Sequence, residues 1–515
     1  MDKIIILDFG SQTTQLIARR IRELGVFCEI YPGNSIINDD FLLDTKGIIM
    51  SGSPFSVYEK GAPKPDTGIY LTGLPILGIC YGFQQMTVMN NGKVNSSITK
   101  EYGKASVSIL QDTDLFNGVP SGFTSWMSHG DSLEILGDGF ELIAESANHP
   151  AAGYNKKLNL YGLQFHPEVS HCDYGKEILS NFIFKICKID KNWTMEQFSD
   201  QISTILKEKI KNNKVLLLIS GGVDSSVVAG ILLKSLPKEN IFLMYIDTGL
   251  MRKNETLEIE IYLKSLGAQN IKIVDAAELF LHSLKGISDP EQKREIIGDL
   301  FIKIQEKELP VSISENYFLA QGTLYTDLIE SGKGVGANAK IIKSHHNVRS
   351  PLVEKKRNDG LIIEPLDKLF KDEVRKLGLS LGIDKRIIER HPFPGPGLAV
   401  RIIGDITVEK VRILQDADFL YINELKERNL YHKIWQAFCV LLPIKSVGVT
   451  GDAREYGYVL ALRAIKSVDG MTADVFPFES IDLLEISSLL TNKIPEIGRV
   501  VYDISSKPPA TIEWE

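Results

Sequence analysis

Short apolar runs that stop at a turn and hand over to an amphipathic stretch recur through this chain, and no other feature constrains its fold as strongly. IIILDFG at 4–10 leads into SQTTQLIARRIRELG; VFCEIY, GIIMSG, PILGIC and LYGLQF follow before residue 190, and VLLLIS, IFLMYID, IKIVDA and YFLAQG after it. Unbroken apolar runs of this length read as buried strands, and the stretches between them as crossover helices. Such alternation builds parallel sheets. The polar, amphipathic segment 191–212 predicts a linker helix between two such series, and HPFPGPGLAV at 391–400, with its prolines and glycines, forbids regular structure. Beyond it, SVGVTG, YGYVLALRAI and RVVYDI are strand-like among helical segments. The expected fold class is α/β: two successive doubly wound α/β domains, 1–190 and 191–395, then a smaller α+β domain, 396–515.

At 515 residues the chain is long enough for several cores, and 43% hydrophobic with 24% charged residues is the composition of a packed globular protein. The N-terminal MDKIIILDFG reads as a strand, without the cationic leader of a secretory signal. No apolar stretch approaches the ~20 residues of a membrane span. The five cysteines, Cys28, Cys80, Cys172, Cys187 and Cys439, show no paired or metal-binding spacing. A cytoplasmic protein with reduced thiols is expected, without a membrane. The formal charge of −8 gives no footprint for nucleic acid, so anionic ligands must be held by local donors.

One thiol stands out. In PILGICYGFQQM, Cys80 sits on a strand-to-helix turn flanked by Gly78 and Gly82, where the chain can bend tightly and the positive end of the helix dipole favours a thiolate. A free cysteine is more often a small buried hydrophobe. YGLQFHPE at 161–168 tips the balance, because His166 and Glu168, two apart on an extended segment, supply a base and an orienting acid. Together these stretches resemble the class I glutamine amidotransferase family, with its G-[IV]-C-x-G-x-Q and H-P-E motifs. The resemblance implies that Cys80 attacks the side-chain amide of glutamine, that His166 protonates the departing ammonia, and that Glu168 orients His166. It also implies an oxyanion hole of backbone N–H groups near Gly52 and at Tyr81, with Gln84 lining the glutamine pocket. The family's S-G-G-P reads SGSP here, with Ser53 in third place, which is tolerable unless that position needs a positive φ. His129, without an adjacent acid, is expected to line the pocket or serve structure.

Ammonia needs an activated acceptor. VLLLISGGVDSSVVAG at 215–230 is a buried strand, a turn and a helix start; successive N–H groups around Gly221 and Gly222, with Ser220, Ser225 and Ser226, make an anion nest at the helix N-terminus, with Val223 and Asp224 in the same turn. The loop is not a Walker A motif. It resembles the S-G-G-x-D-S signature of the ATP pyrophosphatase family, which implies ATP binding, AMP transfer and Mg2+ at Asp224. GKGVG at 332–336 and KSHHNV at 343–348 suggest a mobile loop and a phosphate-covering lid.

With HPFPGPGL at 391–398 and the terminal KPPATIEWE at 507–515, the whole chain is similar to the glutamine-hydrolysing GMP synthase family. That resemblance implies three small-molecule substrates, glutamine, ATP and XMP, with adenylation of the XMP oxygen at carbon 2 and displacement of AMP by ammonia. It nominates Arg294, Lys507, Thr511 and Glu513 for XMP, and makes the third module the dimerisation domain of a homodimer. A glutamine-fed ligase with another acceptor is the alternative. CTP synthase is disfavoured by module order and loop type, a retired glutaminase by the intact Cys80, His166 and Glu168, and a tRNA-modifying enzyme by the absence of a basic face.

Overall fold

The computed structural model describes residues 1–147, 149–309, 313, 317–330, 351–450, 453–467 and 472–515. The segments GKGVG and KSHHNV lie outside these, as does the side chain of His129. The chain divides into two compact units: Met1–Phe198 with helix Tyr325–Glu330, and Ser199–Leu324 with the described residues of 345–515.

The first unit is built on nine strands: β1 (Lys3–Asp8), β2 (Cys28–Pro32), β3 (Thr45–Met50), β4 (Ile76–Ile79), β5 (Lys93–Ile109), β6 (Phe123–Ile135), β7 (Glu141–Ser146), β8 (His149–Asn155) and β9 (Leu160–Leu163). Their order is β2-β1-β3-β4-β9-β8-β7-β5-β6. The strands from β2 to β9 in that order are parallel, as the apolar runs predicted. The rest is antiparallel and departs from the expected all-parallel series. The physical reason is visible in β6, where Phe123, Ser125 and Met127 are buried and Thr124, Trp126 and Ser128 are not; one-sided strands alternate, and hairpin legs can carry that pattern.

Helix Tyr81–Met89 lies so close to the parallel half that two of its neighbouring positions admit no side chain. A Cβ on Gly82 would sit 2.5 Å from the Met50 carbonyl oxygen, and one on Gly78 would sit 2.6 Å from the Gly82 carbonyl carbon. Tyr81, Phe83 and Met86 pack into the core with Ile5, Leu7, Ile48, Met50 and Ile76. Hence the turn that joins β4 to this helix is fixed from both sides.

The second unit has a five-stranded parallel sheet in the order β12-β11-β10-β13-β14, made of β10 (Val215–Ile219), β11 (Ile241–Asp247), β12 (Asn270–Asp275), β13 (Phe318–Ala320) and β14 (Ile362–Ile363). Helix Met195–Ile210 precedes it, matching the expected linker helix. A second sheet joins β15 (Gln436–Thr450), β16 (Ala453–Lys466), β17 (Asp474–Val475) and β18 (Ile497–Tyr502), with helices Val408–Glu427 and Ser480–Lys493 against it. The stretch at 391–400 is irregular only as far as Pro396, since Gly397–Arg401 form a short 3-10 helix where the prolines end, and it does not interrupt the core: Leu398, Ala399 and Ile402 are buried in one cluster with Leu216, Met244, Ile413, Tyr421, Leu460 and Leu462.

Gly82→Ala is expected to lower the stability of the first unit by about 1–3 kcal/mol, the usual cost of overpacking. Urea unfolding followed on that unit checks it, and an unchanged midpoint would show that the helix can move away from β3.

Candidate functional site

β4 delivers Cys80 to the top of the first sheet, and the helix starting at Tyr81 leaves it there. Cys80 has φ 51° and ψ −104°, a backbone conformation that L residues rarely adopt. The strain is held by hydrogen bonds on both sides: Cys80 N–H donates to the Leu163 carbonyl at 2.7 Å, Gly82 N–H to Ser51 at 3.1 Å, and Gln84 N–H to the Cys80 carbonyl at 3.1 Å. The thiol is 5% exposed.

His166 and Glu168 follow the end of β9. His166 Nδ1 is 2.7 Å from Glu168 Oε1, and Glu168 is fully buried. Burial disfavours the charged imidazole, but the Glu168 carboxylate and the adjacent Cys80 outweigh it and hold the His166 pKa well above the ordinary 6.5. A Cβ on Gly52 would lie 3.3 Å from His166 Cε1, so the Gly52 backbone borders the same pocket. Ser53 is not among the residues with positive φ, and its hydroxyl donates to the Phe9 carbonyl at 2.8 Å. The departure from S-G-G-P is thus absorbed. Gln84 is buried, and its Nε2 donates to the Asp131 carbonyl at 3.0 Å, tying the helix to β6.

In the second unit β10 ends at Ile219, Gly221 takes φ +76°, and Gly222 caps helix Val223–Ser235. The Ser225 hydroxyl accepts from Ser220 N–H at 3.2 Å and lies 3.1 Å from the Ser220 hydroxyl; Gly222 N–H donates to the latter at 3.3 Å. A Cβ on Gly221 would lie 3.0 Å from Glu255 Oε1, so glycine is required by space as well as by φ. Asp224 is met by a partner that the motif did not reveal: Lys371 Nζ lies 2.6 Å from both of its carboxylate oxygens. Lys371 opens helix Lys371–Ser380 and brings a cation to the anion nest.

The C-terminal tail is docked, as its two prolines suggested. Glu513 accepts from Arg401 at 2.8 and 3.0 Å and from Gln436 Nε2 at 2.8 Å. Glu515 accepts from Lys293 Nζ at 2.5 Å, and Trp514 Nε1 donates to Asp503 at 3.0 Å. Arg463 donates to the carbonyls of Asp503, Ser505 and Thr511. Lys293, Arg401 and Arg463 are all fully buried. Lys293 also donates to the carbonyls of Ala399 and Ile402; burial pulls its pKa below the ordinary 10.5, and Glu515 opposes that shift. Lys507 pairs through its backbone with Ala473, and the Thr511 hydroxyl donates to the Glu513 carbonyl. Of the three tail candidates, Thr511 and Glu513 are therefore in contact with each other, and Lys507 is anchored at Ala473. Arg294 instead pairs with Glu291 on its own helix at 2.5 Å, and its neighbour Lys293 is the residue joined to the tail.

Three family models match the chain: glutamine amidotransferase class-I over residues 5–186, NAD synthase over 194–295, and GMP synthase C terminal domain over 423–514. Glutamine-hydrolysing GMP synthases are similar throughout: that of Aquifex aeolicus is 48% identical over 99% of both chains. Those of Carboxydothermus hydrogenoformans and Campylobacter fetus are each 49% identical, over 100% and 99% of this chain and 99% of their own. The chain belongs to the glutamine-hydrolysing GMP synthases. In this chain the first match holds Cys80, His166 and Glu168, the second holds the Ser220–Ser226 loop and Arg294, and the third holds Lys507, Thr511 and Glu513. Sequence reasoning missed Lys371, Lys293, Arg401, Gln436 and Arg463; Arg463 lies in the strand-like YGYVLALRAI and Arg401 directly follows HPFPGPGLAV, but neither stretch marks its arginine as a partner of the tail.

Because the folded state holds the His166 proton more tightly than the unfolded chain, its contribution to stability is fully present below about pH 6.5 and is lost as pH rises toward the folded-state value. Glu168→Gln is expected to flatten that dependence. Unfolding free energies measured from pH 6 to 9 check it, and parallel curves for the two proteins would contradict the coupling.

Proposed function

We propose that this chain makes GMP by two coupled chemistries, one at Cys80 and one at the Ser220–Ser226 loop. The observation that carries the reading is the first of these: a strained, buried thiol beside an imidazole whose charged form a buried carboxylate supports. Cys80 gives its proton to His166 and attacks the glutamine carboxamide carbon. Backbone N–H groups at Gly52 and Tyr81 receive the developing oxyanion, with Gln84 lining the pocket. The His166 imidazolium, oriented by Glu168, protonates the departing ammonia, and water then resolves the thioester to glutamate.

At the second centre the loop binds the ATP phosphates through Ser220, Gly221, Gly222, Val223, Asp224, Ser225 and Ser226. The XMP oxygen at carbon 2 attacks the α-phosphorus and releases pyrophosphate; ammonia adds to that carbon and expels AMP. Esterification makes sense because an amide-like oxygen leaves poorly on its own. Lys371 balances phosphate charge beside Asp224. Mg2+ would be held at the same place by Asp224, whose carboxylate would exchange Lys371 Nζ for the cation, and it needs few protein ligands where phosphate oxygens supply the rest. When bound, it would neutralise charge on the phosphates. Lys507, Thr511 and Glu513 form the XMP side, with Arg294 as the fourth candidate.

The three modules 1–190, 191–395 and 396–515 divide these tasks. The last also forms a homodimer in this reading, supported by apolar residues left exposed on its sheet, Ile444, Val447, Tyr456 and Val501, and by Ile504 just past β18. The compartment is the cytoplasm, which suits five buried cysteines without a disulfide. Among the described residues no helix is long and apolar enough to cross a membrane.

Cys80→Ala tests the reading. With XMP, ATP and Mg2+, the variant should form no GMP from glutamine and keep the wild-type rate with ammonium; loss of both would place Cys80 in the structure and not in the chemistry. Glu515→Gln, which weakens the Lys293 clasp on the tail, should raise the KM for XMP about tenfold while leaving that for glutamine unchanged. Steady-state kinetics decide it, and an unaltered XMP KM would detach the tail from the acceptor site.

A further inference from the structure

The thiol has a third polar neighbour besides the imidazole and the backbone. Gln164, the residue after β9, is 2% exposed and directs Nε2 at Cys80 Sγ across 3.7 Å. Its backbone N–H is fixed to the Ala151 carbonyl of β8 at 2.8 Å, so the side chain springs from a backbone anchored at the end of the sheet. Its Oε1 is buried and has no hydrogen-bond partner among the described residues. Leaving a buried amide oxygen unpaired is costly, and such an atom in a native core calls for an explanation, of which a role in catalysis is one.

We propose that Gln164 is a further catalytic residue of the glutaminase centre, donating a neutral hydrogen bond that stabilises the Cys80 thiolate. The inference rests on the reading of Cys80 as nucleophile. Three groups meet Sγ: the Ser128 carbonyl, the Gln164 amide and His166. They do not act on the same protonation state. The Ser128 carbonyl, 4.0 Å away, is an acceptor and can only favour the S–H form. When the S–H bond breaks, the proton passes to the His166 nitrogen not engaged by Glu168, and the electron pair stays on sulfur. The sulfur then needs donors. His166 supplies one as the imidazolium, and Gln164 supplies the other without taking part in proton transfer.

The two donors differ in consequence. The imidazolium must surrender its proton to the leaving ammonia, so its hold on sulfur ends during turnover. The Gln164 amide carries no transferable proton and keeps its place through attack and thioester hydrolysis, when sulfur leaves again as thiolate. An amide in the opposite orientation would set an oxygen against the anion, so nitrogen toward sulfur is the arrangement that serves both steps.

The test uses the full-length enzyme with Gln164→Met, which keeps the volume and removes both polar atoms, and Gln164→Glu, which keeps the shape and adds negative charge. Alkylation of Cys80 by iodoacetamide is followed from pH 5 to 10, beside glutaminase kinetics and ammonium-fed GMP formation. Gln164→Met should slow alkylation at pH 7 about tenfold, with the deficit closing at high pH, and lower glutaminase kcat with KM little changed. Gln164→Glu should move the alkylation profile further the same way. Ammonium-fed synthesis should be unaffected by either. Wild-type alkylation profiles in the variants would overturn the proposal. Should the methionine variant lose ammonium-fed synthesis through misfolding, the glutamate variant decides alone. Glutaminase activity surviving in Cys80→Ala would instead refute the reading of Cys80 and is read separately from the Gln164 profiles.

Discussion

The close approach of helix Tyr81–Met89 to the parallel half of the first sheet is the constraint on which its chemistry depends. Because Gly78 and Gly82 carry no side chain, the helix can begin against the Met50 carbonyl, and the single residue between strand and helix turn is forced to positive φ. That places a sulfur at the N-terminal end of a helix, above the carboxyl ends of β4 and β9, with His166 and Glu168 arriving from the latter. The strain at Cys80 is offset by the core beneath it, where Phe83 and Met86 are fully buried. Geometry, burial and charge therefore come from one packing decision.

The second unit solves a different problem with buried cations. Lys293, Arg401 and Arg463 each lie fully inside the protein, where an unpaired charge would be prohibitive, and each bonds to the last residues of the chain or to carbonyls next to them, although Arg401 Nη1 and Arg463 Nε find no partner among the described residues. The tail is thus a structural necessity for those cations as much as they are for it. A carboxylate-rich end that would ordinarily fray is fixed, leaving Lys507, Thr511 and Glu513 in defined positions.

Much of this was legible in the sequence because it depends on local spacing. His166 and Glu168 at i and i+2 of an extended segment must face the same way, and the Ser-Gly-Gly turn between an apolar strand and a helix makes a nest in any context. The parallel strands were legible for the same reason. The antiparallel half of the first sheet was not, since β5 to β8 hold no unbroken apolar run of the kind that marks a buried parallel strand, and β6 alternates buried and unburied residues instead. Lys371 meets Asp224 across 147 positions, and Lys293 meets Glu515 across 222. No local pattern encodes such pairs: a lysine on an amphipathic helix looks solvated until the fold buries it. Gln164 sits inside a recognised motif, yet its bearing on the thiol emerges only when β4 and β9 are neighbours.

The central claim is that one chain joins ammonia drawn from glutamine to an acceptor whose oxygen leaves on AMP. The most direct measurement supplies glutamine labelled with nitrogen-15 in its amide and XMP labelled with oxygen-18 at carbon 2, and analyses the products by mass spectrometry. Nitrogen-15 in the exocyclic amine of GMP together with oxygen-18 in AMP is the result the account predicts. Oxygen-18 in pyrophosphate or in water would contradict it, because the acceptor oxygen would then never have been adenylated.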